Sequence, residues 1–182
     1  MHPMRILRTA RAIRERAPGE TLRIGCILAC LIALQAVLHA TGTLSAPGLV
    51  DQTNDVRLRS GVGTLTVHPL LAQVAQAKAE DMAKRGYFSH NTPDGDTFYD
   101  LITNAGYQFQ AVAENLAVGL AADEALIAAW MSSPGHRHNL LNEQHTDIGI
   151  GIARGRYKGH DTAFVVQLFA RPKRPAAVRA SR

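Results

Sequence analysis

Three separated segments, each carrying one ligand-type side chain and two of them holding glycine and proline as well, limit what this chain can fold into. They run from Gly86 to Gly95, Ala113 to Ala117 and Ser133 to Asn142, and they offer His90, Glu114 and His136. The intervals of 24 and 22 residues are far too long for a local motif, so only the fold can bring the three together. Two imidazoles and a carboxylate that converge make a polar cleft able to bind a divalent metal or to handle protons. Neutral imidazole nitrogen and carboxylate oxygen suit zinc and related ions, and three such ligands leave one coordination position open.

The chain has 182 residues, enough for one domain with a real core. Its formal charge of +5 belongs to the two ends. Residues 1–42 carry a net +4 and residues 171–182 a net +5, whereas 43–170 carry a net −4. A nucleic-acid binder shows a basic stripe on its folded domain, interleaved with aromatics. This chain has none, so nucleic acid is not an expected partner. Both cysteines, Cys26 and Cys30, precede the body of the chain, which therefore has no disulfide framework and must hold by packing alone. Their spacing has no metal-like context, and they read as small apolar residues of a lipid-facing helix.

Six arginines, Arg5 to Arg23, precede a charge-free run from Ile24 to Val50 whose most apolar part is Ile24 to Leu38. A basic flank followed by an apolar segment is an export signal. Residues 1–23 thus form a basic leader and 24–42 a signal or anchor. Two outcomes stay open: cleavage within Ala40-Thr41-Gly42-Thr43, or retention as a membrane anchor, since a span needs about 20 apolar residues. Either one places the same domain outside the cytoplasm, with the arginines holding the N-terminus inside.

Residues 43–48 read as a linker. Leu49 to Ser60 can form a first helix, ended by Gly61-Val62-Gly63. Leu71, Val74, Ala75, Lys78 and Met82 fall at helical spacing, which predicts an amphipathic helix from Pro69 to Arg85 stopped by Gly86. Thr97 can cap a short helix from Phe98 to Ala105. Val112 to Val118 reads as a strand carrying Glu114, Asp123 as the cap of a helix reaching Met131, and His136 to Leu141 as one more turn. Thr146 to Ala153 and Thr162 to Phe169 read as strands joined through a loop from Gly155 to Asp161. Residues 171–182 read as a disordered basic tail. Helices beside strands that pair mostly antiparallel give an α+β layering.

The order and spacing of several pieces resemble the CAP superfamily, the cysteine-rich secretory, antigen 5 and pathogenesis-related proteins, in its small cysteine-poor bacterial form. The pieces are Asn54-Asp55-Val56-Arg57, matching that family's N-x-x-R, then Pro69-Leu70, the three ligand segments, Trp130 through Arg137, and Asp147 through Gly151. The likeness covers roughly Leu49 to Phe169, within a domain set at 49–170. It implies a three-layer α-β-α sandwich with a mostly antiparallel central sheet and an open cleft. It also implies that His90 and His136 are the two cleft histidines, the candidate metal ligands, and that Glu114 is one of two cleft acids. The second acid would stand three residues after Trp130, where this chain has Ser133; Asp147 is a candidate replacement.

Around the cleft, Arg137 can pair with an acid or lie over its helix, and Asn115 is expected to fix a turn with its amide. His138, His145 and His68 read as surface residues and Trp130 as core. No Gly-x-Ser-x-Gly elbow supports a hydrolase triad built from Ser132 or Ser133 with His136 and Asp147, and no His-Glu-x-x-His helix marks a zinc protease. The leading expectation is an exported or anchored binding module whose His/Glu cleft meets a small lipid, glycan or protein ligand. The alternatives are a metal-dependent hydrolase using the same cleft and an envelope structural protein with a vestigial one. The resemblance fixes the fold better than the function.

Overall fold

The computed structural model describes residues 43–173; the leader at 1–23, the apolar segment at 24–42 and the tail beyond Lys173 lie outside the described residues. Within them the elements run α1 (Ala46–Arg59), β1 (Thr66–Val67), α2 (Pro69–Arg85), α3 (Phe98–Asn104), β2 (Phe109–Val118), α4 (Asp123–Ser132), α5 (Pro134–Leu141), β3 (Asp147–Tyr157) and β4 (His160–Pro172). The sheet order is β1-β3-β4-β2. β1 lies parallel to β3, and β4 is antiparallel to both its neighbours. The sheet is therefore mixed, through a two-residue strand that sequence pattern does not reveal.

Alternation along β4 sorts the core into two layers. Phe164, Val166 and Leu168 face Leu71, Val74 and Met82 of α2 and Ile102 of α3. Val165 and Phe169 face the opposite way, against Leu49 of α1, Leu126 and Trp130 of α4, and Leu140 of α5. Helices thus cover both faces, the three-layer α-β-α arrangement.

α2 begins at Pro69, whose fixed φ suits a first helical position, and ends at Gly86 with φ 68. Its small residues Ala75, Ala79 and Ala83 lie along a glycine track on β3. A Cβ added at Gly149 or Gly151 would stand 2.2 Å from backbone carbon of Leu71 or Ala75, and one at Gly155 would stand 2.7 Å from the Ala83 oxygen. Only glycine lets helix and strand backbones approach this closely. Gln76 adds a side-chain ladder: its Nε2 donates to the Ile152 carbonyl (3.1 Å) and its Oε1 accepts from the Ile152 amide (3.0 Å).

Several boundaries move from those expected. β3 and β4 run on to a turn at Lys158-Gly159, with φ of 49 and 86, because Gly155 packs against α2 and does not open a loop. β4 extends through Arg171 and Pro172, so these two residues, expected in the tail, belong to the sheet. Residues 43–48 are not a linker. α1 starts at Ala46, and Ser45 caps it by accepting from the Gly48 amide (3.1 Å). Asp123 does not cap its own helix; its Oδ1 accepts from the Ser45 amide (2.9 Å), tying α4 to the start of α1.

Asn54 and Arg57 on α1 are structural. Asn54 exchanges two bonds with the main chain of Leu65. The buried Arg57 guanidinium donates to the carbonyls of Gly63, Leu140, Asn142 and His145, at 2.7 to 3.2 Å. Burial lowers its pKa from the ordinary arginine value, offset in part by Glu143. His145, expected at the surface, is 3% exposed and lies stacked on Phe169 with ring centroids 5.6 Å apart.

Candidate functional site

β2 is an edge strand whose first half is accessible and whose second half is buried. Glu114 sits at that transition, 4% exposed, on the face toward α2. A carboxylate there needs compensation, because burying an unpaired charge is prohibitive. Lys78, itself 2% exposed on the apolar stripe of α2, supplies it: Nζ stands 2.7 Å from Glu114 Oε2. The same ammonium donates to the main-chain carbonyl of His90, fixing the loop that follows α2. Glu114 Oε1 lies 2.7 Å from His90 Nδ1. An ionised carboxylate only accepts, so Nδ1 carries the proton in this contact, and in the neutral form of the ring Nε2 keeps a free lone pair. Lys78, Glu114 and His90 form a chain from the buried helix face to an imidazole whose side chain is 58% exposed.

The opposite wall is α5. Asn115 does not fix a turn; it lies fully buried within β2 and holds α5 in place. Its Nδ2 donates to the His136 carbonyl (3.3 Å) and to Gln167 Oε1 (3.2 Å), and its Oδ1 accepts from Asn139 Nδ2 (2.9 Å). Gln167 passes the chain on to Thr53 of α1 (2.9 Å). Asn139 also donates to the Glu114 carbonyl (3.2 Å). This polar net fixes the main chain of α5 at His136, which lines the same cleft as His90. Burial lowers the His136 pKa from its ordinary value, and the nearby His90 lowers it further. Trp130, expected in the core, is there, and its indole N–H donates to the Leu116 carbonyl (3.2 Å).

His90, Glu114 and His136 line one open cleft of about 580 Å³, together with Ser133 and Asn139. His138, expected to face solvent, is exposed at its rim. The remaining wall is aromatic. The rings of Phe98 and Tyr99 of α3 lie with centroids 4.2 Å apart and planes tilted by 31°, and Tyr99 stays 48% exposed. Sequence reading passed over Tyr99, Asn139 and Lys78. Lys78 carried a signal, a lysine in register with Leu71, Val74, Ala75 and Met82. Tyr99 and Asn139 carried none.

Two expected neighbours lie elsewhere. Asp147 does not restore a cleft carboxylate: its Oδ2 accepts from Tyr107 Oη (2.8 Å) and its Oδ1 from Thr146 Oγ1 (2.9 Å). Arg137 is exposed on the outer side of α5, in a groove with Glu143 and Gln144. A triad of Ser132 or Ser133, His136 and Asp147 is therefore not assembled; Ser132 Oγ instead donates to the Ala128 carbonyl (2.9 Å). Among the described residues no three His, Cys, Asp or Glu side chains are disposed to ligate one ion. Glu114 is already committed to Lys78 and His90, so the donors left for a metal are the two imidazoles.

The family model for CAP, the cysteine-rich secretory protein family, matches residues 50–169. YkwD, an uncharacterized protein of Bacillus subtilis, is 36% identical over 103 residues, which are 57% of this chain and 40% of that protein. YlbC, an uncharacterized membrane protein of the same organism, is 33% identical over 115 residues, 63% of this chain and 33% of YlbC. The chain thus spans well under half the length of these relatives. An extracellular SCP-domain protein from Bacillus anthracis superposes with a TM-score of 0.60 at 34% identity, over 69% of this chain and 40% of that one. An outer surface protein of Borrelia burgdorferi gives a TM-score of 0.59 at 26% identity, over 69% of this chain and 90% of that one.

Proposed function

The chain belongs to the CAP family of cysteine-rich secretory proteins, and we propose that it is an extracytoplasmic binding module whose ligand lies in the cleft between α3 and α5. One observation carries this reading. Lys78 and Glu114 form a fully buried ion pair whose outer end holds an accessible imidazole beside an exposed aromatic ring. A buried ion pair adds little to stability compared with apolar residues of the same volume. Holding an imidazole in one tautomer at an open cleft is what the pair does here. The ligand class is a small lipid, glycan or protein segment with an apolar part for Tyr99 and a polar part for His90 and His136. Titrating the protein with soluble lipid, glycan fragments and peptides, while following the ring resonances of His90, His136 and Tyr99, tests it. The three rings should move together with one class, and Tyr99→Ala should weaken that class at least tenfold. A ligand that leaves all three unmoved refutes the site.

The extracellular and outer-surface descriptions of two structural relatives support the location, as does the basic leader followed by Ile24 to Leu38. A reporter joined after Leu49 should be active outside the cytoplasm, and activity only inside would overturn this. A second reading is favoured by the Glu114 to His90 Nδ1 contact, the carboxylate–histidine arrangement that orients metal-bound imidazoles. Zinc would be held by His90 and His136 alone among these side chains and would act as a Lewis acid on a bound oxygen. Calorimetric titration of zinc into the wild type and the His90→Ala, His136→Ala double variant decides it, with equal binding by both contradicting the reading.

A further inference from the structure

The cleft exposes main chain as well as side chains. From Ala111 to Val118 the β2 ladder to β4 is regular, and its register shifts between Phe109 and Ala111. Main-chain groups of successive strand residues point to opposite edges. The carbonyls of Glu114 and Leu116 accept from Asn139 and Trp130, so even-numbered residues present their amides and carbonyls to the free edge. Those two acceptors are thus covered by side chains from α5 and α4. Val112, one step earlier on the same edge, lines the open cleft, and among the described residues no side chain reaches its N–H or C=O. An uncovered strand edge is a template for another strand.

Resting on the cleft reading, we propose that the ligand is an extended peptide that adds to β2 at Val112, by β-augmentation. Two main-chain groups are available to it, the N–H and C=O of Val112. Side chains of an added strand alternate between the two walls. One set meets Phe98, Tyr99 and Val112, which suits aromatic or branched apolar residues. The other meets Ser133, His136 and His138, whose imidazoles suit a carboxylate. The partner is an extended segment alternating apolar and acidic residues.

The test is amide hydrogen exchange on the full-length chain in detergent, with heptapeptides selected from a random displayed library. In the free protein the Val112 amide should exchange fast while Ala113, bonded toward β4, is protected. A saturating selected peptide should slow Val112 exchange at least tenfold. N-methylation of that peptide along one edge should weaken it at least tenfold, and along the other edge hardly at all. An empty selection, peptides indifferent to N-methylation, or unchanged Val112 exchange overturns the proposal. So does Val112 protection in the free protein that grows with concentration, which means a second copy covers the edge. If lipid or glycan binds through Tyr99 while Val112 stays fast, the cleft reading stands and only β-augmentation fails. If no ligand depends on Tyr99 or His136, both fail.

Discussion

Replacing Lys78 with Met isolates the buried pair. Methionine fills the stem volume but leaves the Glu114 carboxylate, whose side chain is fully inaccessible, without a cation 2.7 Å away. Removing one partner of a buried pair costs about 3–5 kcal/mol, because the other charge stays desolvated. The His90 carbonyl also loses its donor, and an unmade bond of this kind adds about 1 kcal/mol. Urea unfolding of Lys78→Met should therefore show a loss of about 4 kcal/mol. The double variant Lys78→Met, Glu114→Gln should recover about half, because no uncompensated charge remains. Arg156, whose side chain is 75% exposed and 3.5 Å from Asp161, is the internal control; Arg156→Met should leave the midpoint unmoved. A Lys78→Met variant as stable as wild type, or a double variant no better than the single one, refutes the reasoning.

The other predictions concern packing and pH. Burial, with Arg57 and then His138 adding repulsion, lowers the His145 pKa from 6.5 to about 4. The unfolded chain then binds a proton that the folded one refuses, so stability present above pH 6.5 falls as pH drops toward 4, by about 3 kcal/mol. His145→Phe should flatten that part of the stability–pH curve, and an unchanged slope contradicts the assignment. Gly151→Ala forces a Cβ to 2.2 Å from the Ala75 backbone and should cost about 3 kcal/mol, whereas Gly63→Ala, with nothing within 4 Å, should cost little by the same urea assay. Asn139→Ala leaves the Glu114 carbonyl and Asn115 Oδ1 without their donor; it should lower stability by about 2 kcal/mol and shift the ring resonances of His136.

α2 was legible in the sequence because Pro69, Gly86 and a 3.6-residue stripe all mark the same segment. The β3–β4 turn was misplaced because Gly155 looks like a turn residue, and only the position of Ala83 reveals it as a packing one. β1 was invisible because two residues carry no period. His90 and His136 were legible because each stands near its own chain-breaking residues, whereas Glu114, inside β2 with no glycine or proline beside it, was legible only through the family-like Glu-Asn-Leu element. Asp147 misled because its partner, Tyr107, precedes β2 and nothing local links them. His145 misled because its burial comes from Phe169 and the loop pinned by Arg57, contacts distant in the chain. Tyr99 became a cleft residue only when α3 was laid against the first half of β2.

The most direct test of the account is the side-chain nitrogen spectrum of His90 in the folded protein. With Glu114 accepting from Nδ1, neutral His90 should be the Nδ1–H tautomer, its bare Nε2 facing the cleft and shifting when ligand binds. Lys78→Met should erode that tautomer preference. A dominant Nε2–H tautomer in the wild type would mean that Glu114 does not hold the ring, and the cleft would lose the group on which its proposed chemistry depends.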